Sequence, residues 1–364
     1  MLRNVVVGLT LALFLPCTSA EPNSATPFRT MEEPRGIAIA EFQPAGEPML
    51  LTVAGEIALW NLETGERTHV FEGPWRLGRV AHYSPDGRMI LASAANEYSS
   101  GPAVAYDSKT CEEEWQVQPE EWGFVWSCFS RGGHYAVVSR QYQRLLDPDT
   151  GEDLKRLELG MPAGQRGEFL FVRFSPDDRL MFSTTTMGIN SIWDVKAEQE
   201  RHRISHRGVI WDALFSNDGA YLVTVSQDRT AVVWDPATGG RLQTLQHEGA
   251  VYCVDISADD SKILTASADG TAVLWDAANG KALLNFVHED GVLAANLSSD
   301  GTLVLTGTRN GSAHLWDART GAEISRLATH EDEAWWVCFS PDGQYCVTAS
   351  ADGTAAVYRL QAFE

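Results

Sequence analysis

Short apolar runs, each bounded by turn residues, recur along almost the whole chain. Between residues 250 and 290 they fall at Val251 to Ile256, Lys262 to Ala266, Ala272 to Trp275 and Ala282 to Phe286. Runs of four to six residues rich in Val, Ile, Leu and aromatics predict strands, because a helix needs a longer stretch with a 3.6-residue period. The punctuation between them is as regular as the runs. Between the first and second strand of each group stands a tight-turn tetrapeptide: QPAG at Gln43, SPDG at Ser84, SRGG at Ser130, SPDD at Ser175, SNDG at Ser216, SADD at Ser257, SSDG at Ser298 and SPDG at Ser340. Between the third and fourth strand comes LETG after Asn61, PDTG after Asp147, PATG after Asp235, AANG after Asp276 and ARTG after Asp317. The glycine there supplies the positive φ that such a hairpin requires.

An aromatic near the end of each third strand marks the period. The series Trp60, Tyr106, Leu146 (standing in once), Trp193, Trp234, Trp275, Trp316 and Tyr358 has spacings of 46, 40, 47, 41, 41, 41 and 42. Eight units of four short strands predict an all-β protein, an eight-bladed β-propeller of four-stranded antiparallel blades. Seven blades with one unit displaced is the alternative. The chain ends at Glu364, too soon after Tyr358 for the last unit to make its own fourth strand. The segment Thr26 to Glu32 is expected to supply it, closing the ring and covering an edge that would invite aggregation. Residues 21–34 are thus the closing strand and residues 35–364 the propeller.

The tripeptides LWN at Leu59 to Asn61, IWD at Ile192 to Asp194, VWD at Val233 to Asp235, and LWD at Leu274 to Asp276 and Leu315 to Asp317 carry a resemblance. On them the chain resembles the WD-repeat (WD domain, G-beta repeat) β-propeller family from about residue 25 to 364. A second register runs in step through the last four units. His206, His247, His288 and His330 each lie ten residues before the turn serine and 28 before the marker aromatic. Asp228, Asp269, Asn310 and Asp352 follow them by 22, and Ser226, Ser267, Thr308 and Ser350 stand two residues before those. In isolation Ser267, His247 and Asp269 have the composition of a nucleophilic triad. A device built four times in succession serves the module instead, and the resemblance implies a structural tetrad completed by Trp234, Trp275, Trp316 and, in the last unit, Tyr358. Pro74, Glu120 and Gln165 hold the histidine's place in units two to four.

Composition and charge narrow the function. With 28 Lys plus Arg against 49 Asp plus Glu, the net charge is −21, which repels nucleic acid and anionic lipid. Arg3, the apolar run Val5 to Leu15 and Pro16 to Ala20 resemble a secretory signal (residues 1–20) cleaved after Ala20, too short to span a membrane. A periplasmic or secreted monomer is expected. Five cysteines then remain, with no C-x-x-C pair, so neither a disulfide framework nor a zinc site is indicated. Cys111 replaces the hairpin glycine found as Gly65, Gly151, Gly239, Gly280 and Gly321, which predicts positive φ, exposure and a reactive thiol.

The family resemblance implies a non-catalytic interaction scaffold, with no metal or cofactor, whose partner sits on the rim carrying the connections into each first strand. The residues five before the turn serines give Arg79, Trp211, Tyr252 and Trp335 there, with Glu289 and Asp332 in adjoining loops. Aromatics beside carboxylates suit a basic protein or peptide partner. Asp107 to Trp115 loosely resembles the docking motifs of pyrroloquinoline quinone dehydrogenases. That gives the alternative, a quinone- or small-molecule-dependent enzyme with its site at the central channel.

Overall fold

The computed structural model describes residues 25–45, 48–71, 79–94, 101–119, 126–139, 142–158 and 169–363. The signal segment, Pro74, Glu120 and Gln165 lie outside them. Eight four-stranded antiparallel sheets follow one another along the chain. Blade six is typical, with strands Val251–Ile256, Lys262–Ser267, Thr271–Asp276 and Ala282–Val287, each within a residue of its expected bounds. The eight-unit arithmetic therefore holds, and the seven-blade arrangement does not. No described helix is long and apolar enough to cross a membrane.

The ring closes at the seam that the bookkeeping demanded. Arg29–Glu32 pairs antiparallel with Thr354–Arg359, Arg29 opposite Val357 and Glu32 opposite Thr354, and becomes the outer strand of blade eight. Met31 on this strand is fully buried. It belongs to an apolar layer with Tyr345 and Val347 of blade eight and Leu50 and Trp60 of blade one.

Eight such layers exist among the described residues, one between each pair of neighbouring blades. They follow from strand alternation: both faces of every second and third strand are covered, so those strands read as continuous apolar runs. Each marker aromatic packs toward the preceding blade, as Trp275 does with Val223, Val233 and Leu245. First strands meet their neighbours around the axis, and fourth strands form the circumference.

Turn chemistry explains the two sites where aspartate replaces the turn glycine. Asp178 and Asp260 have φ of 55° and 60°, a region aspartate tolerates better than most residues. Both reach back to the preceding blade. Asp178 accepts the Ser130 hydroxyl at 2.7 Å and the Gly132 N–H at 2.8 Å. Asp260 accepts main-chain N–H groups of Asn217 at 2.7 Å and Asp218 at 2.9 Å. These carboxylates stitch turn to turn across the blades.

Candidate functional site

The repeated histidines come first, because their geometry decides whether they are chemistry or architecture. In blade six His247 enters on the connection before the first strand, a hydroxyl sits on the second strand, and Trp275 on the third. The Trp275 indole N–H donates to Thr265 Oγ1 at 2.8 Å, and the same hydroxyl lies 2.8 Å from His247 Nε2. His247 Nδ1 stands 3.1 Å from Asp269 Oδ2. A carboxylate only accepts, so Nδ1 carries the proton and Nε2 accepts from the hydroxyl. The bonds run one way, from indole through hydroxyl and imidazole to carboxylate.

Blade five repeats this with Trp234, Thr224, His206 and Asp228 at 2.7, 2.7 and 2.9 Å. In blade eight His330 Nε2 meets Thr348 at 2.9 Å, and Nδ1 reaches Asp352 through the Thr354 hydroxyl, by bonds of 2.7 and 2.6 Å. Tyr358 fills the aromatic's place there, buried.

The hydroxyl is the correction. Ser226, Ser267, Thr308 and Ser350 are not members of the relay; Thr224, Thr265, Thr306 and Thr348 are. Leu222 lies opposite Trp234, so Thr224 is its diagonal neighbour on the same face. Ser226 lies two residues further, roughly 13 Å along the strand from Leu222, beyond the indole's reach. Ser226, Ser267 and Ser350 instead accept the main-chain N–H of Asp228, Asp269 and Asp352 at 3.2, 3.2 and 3.0 Å. Thr308 donates to Asn310 at 2.7 Å. Asn310 is the second departure: His288 Nδ1 turns to the Phe286 carbonyl at 3.1 Å, while Trp316 and Nε2 still meet Thr306 at 2.9 and 2.8 Å. The signal for the threonines was present, since Thr224, Thr265, Thr306 and Thr348 each precede the marker by ten.

Burial makes these imidazoles poor bases. Desolvation holds His206, His247 and His330 below the ordinary histidine value, against the opposing pull of Asp228, Asp269 and Asp352. Burial and the neighbouring His314 bring His288 down to about 4. Neutral rings locked at both nitrogens hold blade geometry.

Blade one has a relay that sequence reasoning passed over. Trp60 donates to Thr52 at 2.9 Å, and Thr52 donates to the buried carboxyl of Glu33 at 3.1 Å. Glu33 precedes the turn residue Gln43 by ten, the histidine's own spacing, but the change of residue type hides the equivalence. Burial raises its pKa, more than Thr52 and Arg67 lower it.

Around the axis the first strands carry a polar ring. His82 Nδ1 lies 3.1 Å from Glu41, and Arg173 pairs with Asp212 at 3.0 Å. Asp255 accepts from Asn296 Nδ2 at 2.8 Å and Leu297 N–H at 2.7 Å. Desolvation raises Asp212 and pushes Asp255 up to about 6. Each carboxylate is bonded to a neighbouring blade, so the ring also ties blade to blade.

Trp211 and Trp335 are 47% and 39% exposed, and Glu289 and Asp332 are exposed in the connections that precede the first strands of blades seven and eight. Trp211 and Tyr252 meet edge to face with centroids 6.0 Å apart. Tyr252 is half-buried, and its hydroxyl accepts from Arg309 at 3.2 Å; Arg309 also pairs with Glu333 at 3.6 Å. Trp335 does not join the aromatic pair, and its indole N–H donates to the Ile37 carbonyl of blade one. Arg79 starts the first strand of blade two, opposite Ala94, away from this arc over blades five to eight.

Cys111 adopts the expected positive φ of 60° but not the expected exposure. It is half-buried against the layer between blades one and two, and burial, then Asp107, raise its thiol pKa. The reactive-thiol expectation loses its basis, since the thiolate is the reactive form. Among the described residues no His, Cys, Asp or Glu grouping could hold a metal ion.

The family model described as WD domain, G-beta repeat, matches residues 198–235, 239–276, 280–317 and 321–359. Each match begins at the outer strand of one blade and ends with the third strand of the next. No curated protein matches the chain. Among solved structures it is similar to the crystal structure of the computationally designed Ika8 protein, at 20% identity and a TM-score of 0.78, over 92% of this chain and 100% of that one. At that identity the likeness concerns the fold.

Proposed function

As the chain belongs to the WD-repeat family of β-propellers, generally protein-interaction scaffolds, we propose that it is an exported, non-catalytic platform that binds a basic protein or peptide on its rim. The observation that carries this is the Trp211–Tyr252 pair, two large rings held edge to face with one indole still nearly half exposed. Exposed aromatics on a rigid rim are the anchors that dominate binding energies. Glu248, Glu289, Glu331 and Asp332 are exposed in the connections around them, which favours Lys and Arg on the partner. The repeated histidines support the same reading, because both nitrogens of each are committed to the blade.

The test is capture from the extracytoplasmic fraction of the native source with immobilised wild type and a Trp211→Ala, Trp335→Ala variant. A protein held by wild type should bind the variant about 30-fold or more weakly, the effect of losing a central anchor. Equal capture would overturn the rim reading. Mass spectrometry of the exported chain should find Glu21 at its N-terminus.

A further inference from the structure

Blade seven departs from its sisters at five positions that converge on one cavity. A pocket of about 370 Å³ between the outer parts of blades six and seven is lined by Asn310, Ser312, His314, Glu323 and Arg326, with Val287, 65% exposed, and the exposed Glu289 also in its lining. In blades five, six and eight an aspartate dominates the equivalent place. One oxygen of Asp228, Asp269 and Asp352 accepts the main-chain N–H after the histidine, from Arg207, Glu248 and Glu331 at 2.8, 2.9 and 2.8 Å. The other accepts the hydroxyl of Thr230, Thr271 and Thr354, at 2.6 Å each.

Blade seven replaces the carboxylate by the neutral Asn310, whose side-chain oxygen turns to the Thr308 hydroxyl at 2.7 Å and the Ser312 N–H at 3.2 Å. Ser312 replaces the threonine, His314 replaces Val232 and Val273, and Arg326 replaces Thr244 and Asn285. The aspartate has left the site and a guanidinium has entered it, while Glu323 stands where blades five and six have Arg241 and Ala282. Arg326 Nη2 donates to Ser312 Oγ at 2.7 Å. Its Nε is buried with no acceptor, and Arg326 has no ion pair among the described residues. The nearby carboxylate of Glu323 is bonded to His314 Nδ1 at 2.7 Å.

A buried cationic donor without an acceptor is costly, and the group that satisfies a guanidinium edge best is a planar carboxylate. We propose that this pocket binds a carboxylate group. The exposed side chains of Val287 and Leu283 on the adjoining outer strand of blade six offer apolar contact to whatever carries it. The site lies on the circumference, is not lined by Trp211, Tyr252 or Trp335, and shares Glu289 with the rim connections.

The experiment titrates the full-length exported protein, histidine ring-labelled, with three small probes while the His288 and His314 ring resonances are followed by NMR. N-acetylleucine offers an α-carboxylate, N-acetylglutamate α-amide a side-chain carboxylate, and N-acetylleucine amide none. Saturable shifts with either or both acids, and none with the amide, are expected; which acid binds tells a chain terminus from an acidic side chain. Arg326→Gln should weaken binding at least about tenfold. Asn310→Asp, which restores the sister blades' residue and so folds, should do the same by refilling the place with a fixed negative charge. No saturable shift with either acid, equal response to the amide, or undiminished binding by both variants would overturn the proposal.

Discussion

Blades five to eight and blades one to four build the same four-stranded sheets with different interiors. The later blades each pair an imidazole with a threonine hydroxyl, and three of them add an indole. In the earlier ones Trp60 and Trp193 still donate to Thr52 and Ser183, while Tyr106 and Leu146 surrender the indole. Among the described residues, buried polar atoms without hydrogen-bond partners gather in the earlier half: Glu33 Oε2, His82 Nε2, Tyr83 Oη, Trp126 Nε1, Ser139 Oγ, both amide atoms of Gln143 and Ser191 Oγ, against Arg29 Nε on the outer strand of blade eight, Gln243 Oε1 and Arg326 Nε in the later half. The apolar layers do not differ in this way, since all eight are present. Apolar burial therefore builds the ring, whereas the relays fix how accurately each blade is set, as expected when a net hydrogen bond contributes about 1 kcal/mol and a lost partner costs more.

The largest effect should come from the seam where the two halves meet. Deleting Ser24 to Glu33 removes buried Met31, the four-residue ladder with Thr354–Arg359, and Glu33 from blade one. A loss on the order of 5 kcal/mol is expected, with association through the uncovered edge. Urea unfolding and gel filtration measure both. An unchanged midpoint with monomeric elution would mean that the clasp does not hold the ring.

A smaller effect separates the halves directly. Thr265→Val keeps the shape but leaves the Trp275 N–H and His247 Nε2 unpaired together, at a cost of about 3 kcal/mol. Ser183→Ala in blade four strands only the Trp193 N–H and should cost about 1 kcal/mol. Ser267→Ala, the hydroxyl outside the relay, should cost less than Thr265→Val in the same urea titration. The reverse order would restore Ser267 to the tetrad.

Most of the fold was legible because its signals are local. Turn tetrapeptides, hairpin glycines and the marker aromatics each depend on a few adjacent residues, and the missing last strand followed from counting. The site was less legible wherever one position had two equivalent candidates or had changed chemical type. Thr265 and Ser267 lie two apart on one face of a strand, so their spacing to His247 cannot choose between them; only the cross-strand register to Trp275 does. Glu33 hides as a carboxylate in a histidine's place. Asp178 and Asp260 looked like imperfect turn glycines, yet their side chains serve the neighbouring blade. Arg309 and Arg326 belong to no repeat pattern and became visible only when their partners were in place.

The smallest effect concerns pH and has opposite signs in the two halves. His206, His247, His288 and His330 have folded pKa values below the unfolded value of 6.5, because burial disfavours the imidazolium. The unfolded chain therefore binds more protons below pH 6.5, and stability should fall as the pH drops from 7.5 to 5. Glu33 has a folded pKa above its unfolded value of 4.5, burial being the main cause. The folded protein then binds the extra proton, and this group's contribution becomes more favourable as the pH falls. Glu33→Gln removes that term and leaves the histidines alone. At pH 7.5 it should shift stability by no more than about 1 kcal/mol, since the buried charge it removes is offset by the lost Arg67 contact at 3.5 Å. Between pH 7.5 and 5 the difference between the proteins should move in favour of wild type, even as both lose stability. Asp255, raised to about 6, titrates in both proteins and cancels from that difference. Parallel urea titrations across this range decide it: a difference that stays flat, or moves in favour of the variant, would show that Glu33 is ionised throughout and that its burial does not govern its proton.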